Sequence, residues 1–326
     1  MHDFEILVLR GANPSGVSMT RDILAAAALL ATRQGVAVPR WRFYSPGGGR
    51  VALQGGLDID TRRLPGRKGR SDALLLVPGV WVSGPQELAA RLREDDCRRA
   101  VRSIAAHVAN GGQVAASCSA VFLLQAAGVL AGRRATTAWW LAPELARIAP
   151  ETTIEAQRIL CVDGPVITAG AAFAQSDVLL YLLRRRFGAK LADGVSRVLL
   201  LQERTEQAEF VVPAMLSGGD ALVNWLTERI EKALPDVPAI SELASEACVS
   251  ERTLSRRVRK ISGMSPREMI QSIRLHRARS LLQHTHMGVE QVAAEVGYQD
   301  ATALRRLVRK WSGATPRQIR GAMMVE

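Results

Sequence analysis

Aromatic side chains make up only 5% of the sequence, histidines number five and cysteines four. The cysteines, Cys97, Cys118, Cys161 and Cys248, are widely scattered, with no CxxC and no neighbouring pair of histidines. That spacing argues against a zinc site and a disulfide framework, and it fits a reducing cytosol. Long apolar runs are also missing. Stretches such as Ile23–Ala31 fall short of the roughly 18 residues a membrane helix needs. The opening MHDFEILVLR carries Asp and Glu and runs straight into a strand-like segment, so no secretory signal is expected. Acidic residues are outnumbered, 31 against 43 Lys+Arg, giving net charge +12 and a pI near 10.5. Without a membrane segment, that excess predicts nucleic acid before lipid as the partner. What the chain does have is 48% apolar residues over 326 positions, enough for two domains with separate cores.

The most informative region is a repeat. Glu251–Arg267 and Ala301–Arg317, fifty positions apart, agree at nine of seventeen residues. Leu254 and Val258, matched by Leu304 and Val308, have the i, i+4 spacing of one apolar helix face. Arg256 and Arg259, matched by Arg306 and Arg309, fall on other faces. Ser265-Pro266-Arg267-Glu268 and Thr315-Pro316-Arg317-Gln318 each read as a capping box with proline at the first helical position. A shorter helix precedes each basic one, around Ile240–Ala247 and Val289–Val296, followed by a sharp turn. Two such pairs in tandem predict two helix-turn-helix units. Solvated helical hairpins are the plainer alternative, but the charge distribution disfavours them. Residues 236–326 carry 15 Lys+Arg and 9 Asp+Glu, net +6, while the first 235 residues carry only the same net +6.

These residues resemble the AraC/XylS family over roughly the last 90 positions. The likeness rests on Ser250-x-Arg252-x-Leu254-x-Arg256, Gly263-x-Ser265-Pro266, Arg274-x-x-x-Ala278-x-x-Leu281-Leu282, Val292-Ala293, Gly297-Tyr298 and Gly313-x-Thr315-Pro316-x-x-x-Arg320. Met269, Val258, Leu304 and Val308 stand where the family usually has aromatics, an apolar-for-apolar change that keeps a core. The resemblance implies double-stranded DNA as partner, with RNA polymerase. With Leu254 and Val258 turned inward, Arg252, Ser255, Arg256 and Arg259 face outward on the first basic helix. Thr302, Arg305, Arg306 and Arg309 do so on the second, where Lys310 is expected to anchor phosphate with Arg309 and Arg259.

In the first two hundred residues short apolar runs alternate with helical patterns. Strand-like segments are Ile6–Leu9, Val36–Tyr44, Ala73–Val77, Gln113–Ala116 and Val166–Thr168; helices are expected over Ser18–Arg33, Asp95–Ala109, Ser119–Gly128 and Ala171–Phe187. This order predicts an α/β layer fold with a mainly parallel sheet, and ligands beyond the carboxyl ends of its strands.

At Val114–Phe122 a strand ends and a helix starts with one residue, Cys118, making the turn. Such a helix start offers N–H donors and a dipole that would lower a thiol's pKa. Strand–nucleophile–helix elbows are used in hydrolases. This segment, with Ala127–Thr137, Asp163–Gly170 and Asp177, resembles the PfpI-like branch of the class I glutamine-amidotransferase superfamily over about residues 4–190. Joined to an AraC-type tail, it resembles the GlxA-type regulators, which implies a flavodoxin-like domain, with helices on both faces of the sheet, used for sensing or dimerisation. Catalysis, a pocket floor and a structural elbow are three uses open to Cys118. Enzymes of the superfamily often place His after the Thr-Thr pair, where this chain has Ala138, and only His2 and His107 lie in the domain. Asp22 is a conceivable but unsupported acidic partner. The favoured reading is a small-molecule pocket formed by Ser117, Cys118, Ser119, Thr137 and Trp139, with Trp139 and Trp140 suited to a cationic or apolar metabolite. Neither catalytic residues nor a metal or cofactor is expected.

The resulting organisation is an α/β domain over 1–200, a linker and connecting helix over 201–235, and the DNA-binding domain over 236–326. Gln202–Phe210 reads as loop, Leu216–Ala233 as helix, and Leu234-Pro235-Asp236-Val237-Pro238 as a break. Pro266–His284 reads as one helix holding the two helix-turn-helix units apart. The function expected is a ligand-responsive, sequence-specific, cytoplasmic transcription regulator, dimeric by analogy. Its rival is a cysteine-dependent PfpI-like hydrolase or lyase with an accessory DNA-binding tail.

Overall fold

The computed structural model describes residues 2–66, 69, 72–201, 220–262, 264–312 and 315–317, with side chains outside the description at 310–312. The chain divides into two compact units, Met1–Gln207 and Ala208–Glu326.

The first unit is built on a sheet of eight strands among the described residues, in the order β3-β4-β2-β1-β5-β6-β10-β9. Its centre consists of β1 (Phe4–Leu7), β2 (Trp41–Ser45), β5 (Leu74–Val77), β6 (Gln113–Ser117) and β10 (Val166–Ala169), all parallel. Strand β5 is buried at every position, which is why it reads as the unbroken apolar run Leu-Leu-Leu-Val. Antiparallel strands close both edges: β3 (Gly49–Ala52) on β4 (Asp58–Arg63), and β9 (Leu160–Asp163) on β10. A two-residue pairing, β7 (Arg134–Ala135) with β8 (Thr153–Ile154), lies apart.

Helices cover both faces. On one, α2 (Pro85–Leu92), α3 (Asp95–Ala109), α4 (Val121–Ala126) and α5 (Ala142–Ile148) bury Leu88, Ile104, Phe122 and Leu145 against Leu75 and Val114. On the other, α1 (Pro14–Gln34), α6 (Gln175–Phe187) and α7 (Ala189–Val198) bury Leu24, Leu179 and Val195 against Ile6 and Leu76. The α/β layer expected from the strand–helix alternation is therefore present, with the flavodoxin-like arrangement that the family resemblance implies. Strands β3 and β4 went unread because their residues are largely polar and exposed, so no apolar run marks them. The extended segment Val36–Tyr44 becomes a strand only from Trp41; Val36 and Val38 are exposed.

The second unit contains two cores joined by one helix. Helix α8 (Ala221–Ala233) starts at Asp220, whose carboxylate accepts hydrogen bonds from the Leu222 and Val223 N–H groups at 3.0 and 3.2 Å. Helices α9 (Ile240–Glu246) and α10 (Glu251–Ser262) follow, then α11 (Pro266–His284), α12 (Val289–Glu295) and α13 (Ala301–Ser312). Ser265 caps α11 as the sequence suggests: its Oγ accepts from Glu268 N–H, and Glu268 Oε2 accepts from Ser265 N–H at 2.7 Å. The matching box around Thr315 extends to Gln318, outside the described residues. The first core gathers Leu243, Leu254, Val258, Met269 and Ile273 together with Val223, Leu226 and Ile230 of α8. The helix read as a connector between domains is thus a wall of the first helix-turn-helix. The second core gathers Leu275, Ala278, Leu282, Val292, Leu304 and Val308. The four apolar replacements for family aromatics, Met269, Val258, Leu304 and Val308, all lie buried in these cores.

Candidate nucleic-acid interface and elbow site

Helices α10 and α13 present equivalent surfaces. Leu254 and Val258 are fully buried on α10, and Leu304 and Val308 are buried on α13. That fixes the opposite face toward solvent. Arg252, Arg256 and Arg259 are exposed and Ser255 half-exposed on α10; Thr302, Arg305, Arg306 and Arg309 are exposed on α13. The Lys310 side chain lies outside the described residues. Each helix is started by a side-chain acceptor, Ser250 Oγ for Thr253 N–H at 3.2 Å and Asp300 Oδ1 for Thr302 N–H at 2.7 Å. Arg305 Nη2 is paired with Glu290 Oε1 at 2.5 Å, while Arg257 Nε holds Asp220 Oδ2 at 2.9 Å and so faces α8. Arg305, Arg306, Arg309 and Arg317 share one open cleft with Thr302 and Pro316, so positive charge is gathered at the second unit's outer face. The arrangement offers planar guanidinium donors to phosphate oxygens and guanine edges.

The elbow lies in the other unit, at the carboxyl end of β6. Cys118 adopts φ +56°, the left-handed region that a side chain other than glycine's occupies under strain. Three neighbours hold it there. Cys118 N–H donates to the Gly170 carbonyl at 2.7 Å, its own carbonyl accepts from Thr137 Oγ1 at 2.7 Å, and Gly79 packs against it. A Cβ at Gly79 would stand 3.0 Å from that of Cys118, which explains a glycine directly after Pro78.

Of the five residues expected to form a pocket, Ser117, Cys118, Ser119 and Thr137 come together at the elbow, and all five, Trp139 included, are buried, none more than 6% exposed. Ser119 Oγ donates to the Val80 carbonyl at 2.6 Å and accepts from Val80 N–H at 2.9 Å. Ser117 Oγ donates to Gln175 Oε1 at 2.7 Å, and Gln175 Nε2 donates to Thr20 Oγ1 at 3.0 Å. This buried chain links β6 to α6 and α1. Gln175 and Thr20 gave no signal in the sequence, because their partners are 58 and 155 residues away from Gln175. Trp139 meets Trp140 edge to face, ring centroids 5.2 Å apart, with Trp139 the more buried. Trp81 and Phe173 are exposed rings on the segments that follow Val80 and Gly170, the residues that hydrogen-bond Ser119 and Cys118. Nothing in the spacing singled them out.

The thiol differs from expectation. Burial pushes Cys118 up to about 11, against the smaller opposing effect of hydrogen bonds from Ser119. The helix start was expected to lower it. Instead the chain makes a single 3-10 turn at Cys118–Ala120 before the six-residue α4, too short a dipole to offset desolvation. Neither histidine of the unit serves as its base. His107 Nε2 lies 2.8 Å from the Gln113 carbonyl, at the opposite end of β6, and His2 lies just ahead of β1. Ala138 is buried, and Asp22 is exposed on α1.

Comparison with known proteins agrees with both halves. Residues 243–322 match the helix-turn-helix domain family and residues 69–184 match the DJ-1/PfpI family. The HTH-type transcriptional regulator CdhR of Pseudomonas aeruginosa is 26% identical over 328 residues, covering 98% of this chain and 92% of that protein. GbdR of Pseudomonas aeruginosa, also an HTH-type transcriptional regulator, is 25% identical over 284 residues, covering 86% and 74%. GlxA of Rhizobium meliloti, another such regulator, is 26% identical over 285 residues, covering 85% and 83%. In fold, the chain is similar to an AraC family transcriptional regulator from Pseudomonas putida, with TM-score 0.51 at 22% identity over 61% of this chain and all of that one. It is also similar to a THiJ/PfpI family protein from Pseudomonas syringae, with TM-score 0.52 at 18% identity over 69% of this chain and 86% of that one. With the two domains matched in this order, the chain carries a DJ-1/PfpI domain followed by an AraC-type helix-turn-helix domain, and its function is DNA-binding transcription regulation.

Proposed function

We propose that α10 and α13 occupy consecutive major-groove segments of one duplex, about one helical turn apart, and read it in a sequence-specific way. The observation that carries this reading is the pair of equivalent outward arginine faces, set by apolar positions buried in two cores. Arg252 and Arg256, with Ser255, Thr302, Arg305 and Arg306, lie toward base edges, where an arginine can bond bidentately to guanine. Arg259, Arg309 and Lys310 anchor phosphates. Arg256→Ala tests the assignment. A base reader should lose about 1–3 kcal/mol on its own site and relax preference at one position, measured by affinity across single-base variants. Uniform weakening across all sequences would assign Arg256 to the phosphates instead.

The α/β domain serves as the sensor, binding a small apolar or cationic metabolite at the elbow end of the sheet. Support comes from the position beyond the strand termini, the edge-to-face Trp139–Trp140 pair, and the exposed Trp81 and Phe173. Cys118 acts as part of the site's floor. The strained backbone at Cys118 is the one feature favouring an enzyme, and a thiol raised to about 11 opposes it, since the neutral form is a poor nucleophile. The protein then works in the cytoplasm as a homodimer, with RNA polymerase as the downstream partner. A melting screen of the full chain against amines, betaines and amino acids tests the sensor. A ligand at 100 times its Kd adds about 2.7 kcal/mol, or several degrees. No shift across a broad library would reduce the domain to a scaffold.

A further inference from the structure

The two cores of the DNA-binding unit share α11 and divide on either side of one residue: Ile273 belongs to the first and Leu275 to the second. Arg274 stands at that boundary. Its guanidinium lies over the Tyr298 ring, 5.6 Å from the centroid, and Gln271 on the same helix lines the same cleft as Tyr298. Tyr298 belongs to the turn between α12 and α13, so α11 is fastened to the turn that aims the second basic helix.

A third element meets them. Gly297 has φ +79°, and a Cβ built there would stand 2.3 Å from the Pro235 carbonyl oxygen and 3.0 Å from Arg274 Nη2. The segment leading from α8 into α9 therefore packs directly on the second unit's turn. Val237, Ile240, Ile270, Arg274 and Tyr298 line the cleft alongside. Arg274 Nε is buried without a hydrogen-bond partner among the described residues. An orphaned donor lowers stability, so Arg274 acts here through where it stands rather than through a hydrogen bond of its Nε.

We propose that Arg274, stacked on Tyr298 and closed in by Gly297 and Pro235, is a positioning residue that sets the separation and relative rotation of the two DNA-reading helices. It thereby determines which spacing between the two halves of a binding site the protein accepts. Without this seam the units are joined by α11 alone, and twisting or bending of that helix would let α13 follow a displaced groove. One inserted base pair moves the second half-site by about a tenth of a turn, enough for a rigid pair to lose register.

The inference rests on both helices reading one duplex, and the experiment separates the two claims. Full-length protein is used to select its preferred duplex from a random library, and that duplex is rebuilt with one base pair added or removed between its halves. Arg274→Met keeps an unbranched stem and removes the charge and the orphaned donor; Tyr298→Leu removes the ring and keeps an apolar side chain for the second core. Wild type should lose at least about tenfold in affinity on either altered spacing. Both variants should lose less than about threefold there while retaining melting temperature and preference within each half. Spacing penalties equal to wild type in both variants would overturn the seam's role. A selected duplex with a single half-site would instead overturn the two-helix reading beneath it.

Discussion

The two helix-turn-helix units repeat one sequence, yet they are attached differently. The first is walled by a third helix: Val223, Leu226 and Ile230 of α8 complete its core, Asp220 pairs with Arg257, and Arg229 pairs with Glu246. In the second, Leu307 replaces Arg257 and packs against the unit's own core. The turns differ as well. Cys248 adopts φ +54° where the second unit has Gly297 at φ +79°. The two reading faces share Arg256 with Arg306 and Arg259 with Arg309, while the supports behind them differ. The chain from the α/β domain enters through α8, so the first unit is the one that any signal along the chain meets first.

The largest effect should come from removing that wall. Ile230→Ala deletes a fully buried side chain and should cost about 2–5 kcal/mol. Hydrogen exchange should then show α9 and α10 losing protection ahead of α12 and α13. Equal loss in both halves would mean a single cooperative core and erase the contrast. Next in size, Arg256→Ala and Arg306→Ala should each relax base preference in a different half of the site, at about 1–3 kcal/mol apiece. If both affected the same half, the tandem arrangement would be wrong.

Smaller changes sharpen the contrast. Partial burial works against the Asp220 charge, but Arg257 and the Val223 and Leu222 N–H groups outweigh it and hold the carboxyl below the usual range. A carboxylate with a lowered folded pKa stabilises fully above the ordinary value of about 4 and loses that contribution as pH falls from there through the lower folded value. Unfolding followed by tryptophan fluorescence should therefore show a loss on acidification that Asp220→Ala, already lower by about 1 kcal/mol from the missing cap, does not repeat. An identical acid response would remove Asp220 from the first unit's support. The smallest effect is a gain: Cys248→Gly relieves a left-handed backbone and should add about 0.5–1 kcal/mol. A loss of stability would show that the thiol contributes contacts beyond the turn.

Much of this was legible in the sequence because helix periodicity and duplication are local signals. Leu254/Val258 and Leu304/Val308 fixed the buried faces, and the outward arginines followed. Likewise the apolar runs of β5 and β6 and the small residues around Cys118 announced a parallel sheet with an elbow. What escaped depends on distant partners. Helix α8 looked like a linker because nothing in its amphipathic pattern says which core it joins. The Ser117–Gln175–Thr20 chain connects residues that no spacing rule relates, and Arg274 reads as one more basic residue until Tyr298 is placed beside it. The Cys118 thiol went the other way because a helix start suggested activation, whereas full burial dominates.

Selection of duplex DNA from a random library by the full-length protein, followed by footprinting on the winner, tests the central claim most directly. The account predicts one sequence with two protected half-sites about one helical turn apart on one face of the duplex, each dependent on its own arginine helix. An unenriched pool, or protection confined to a single half-site, would contradict it.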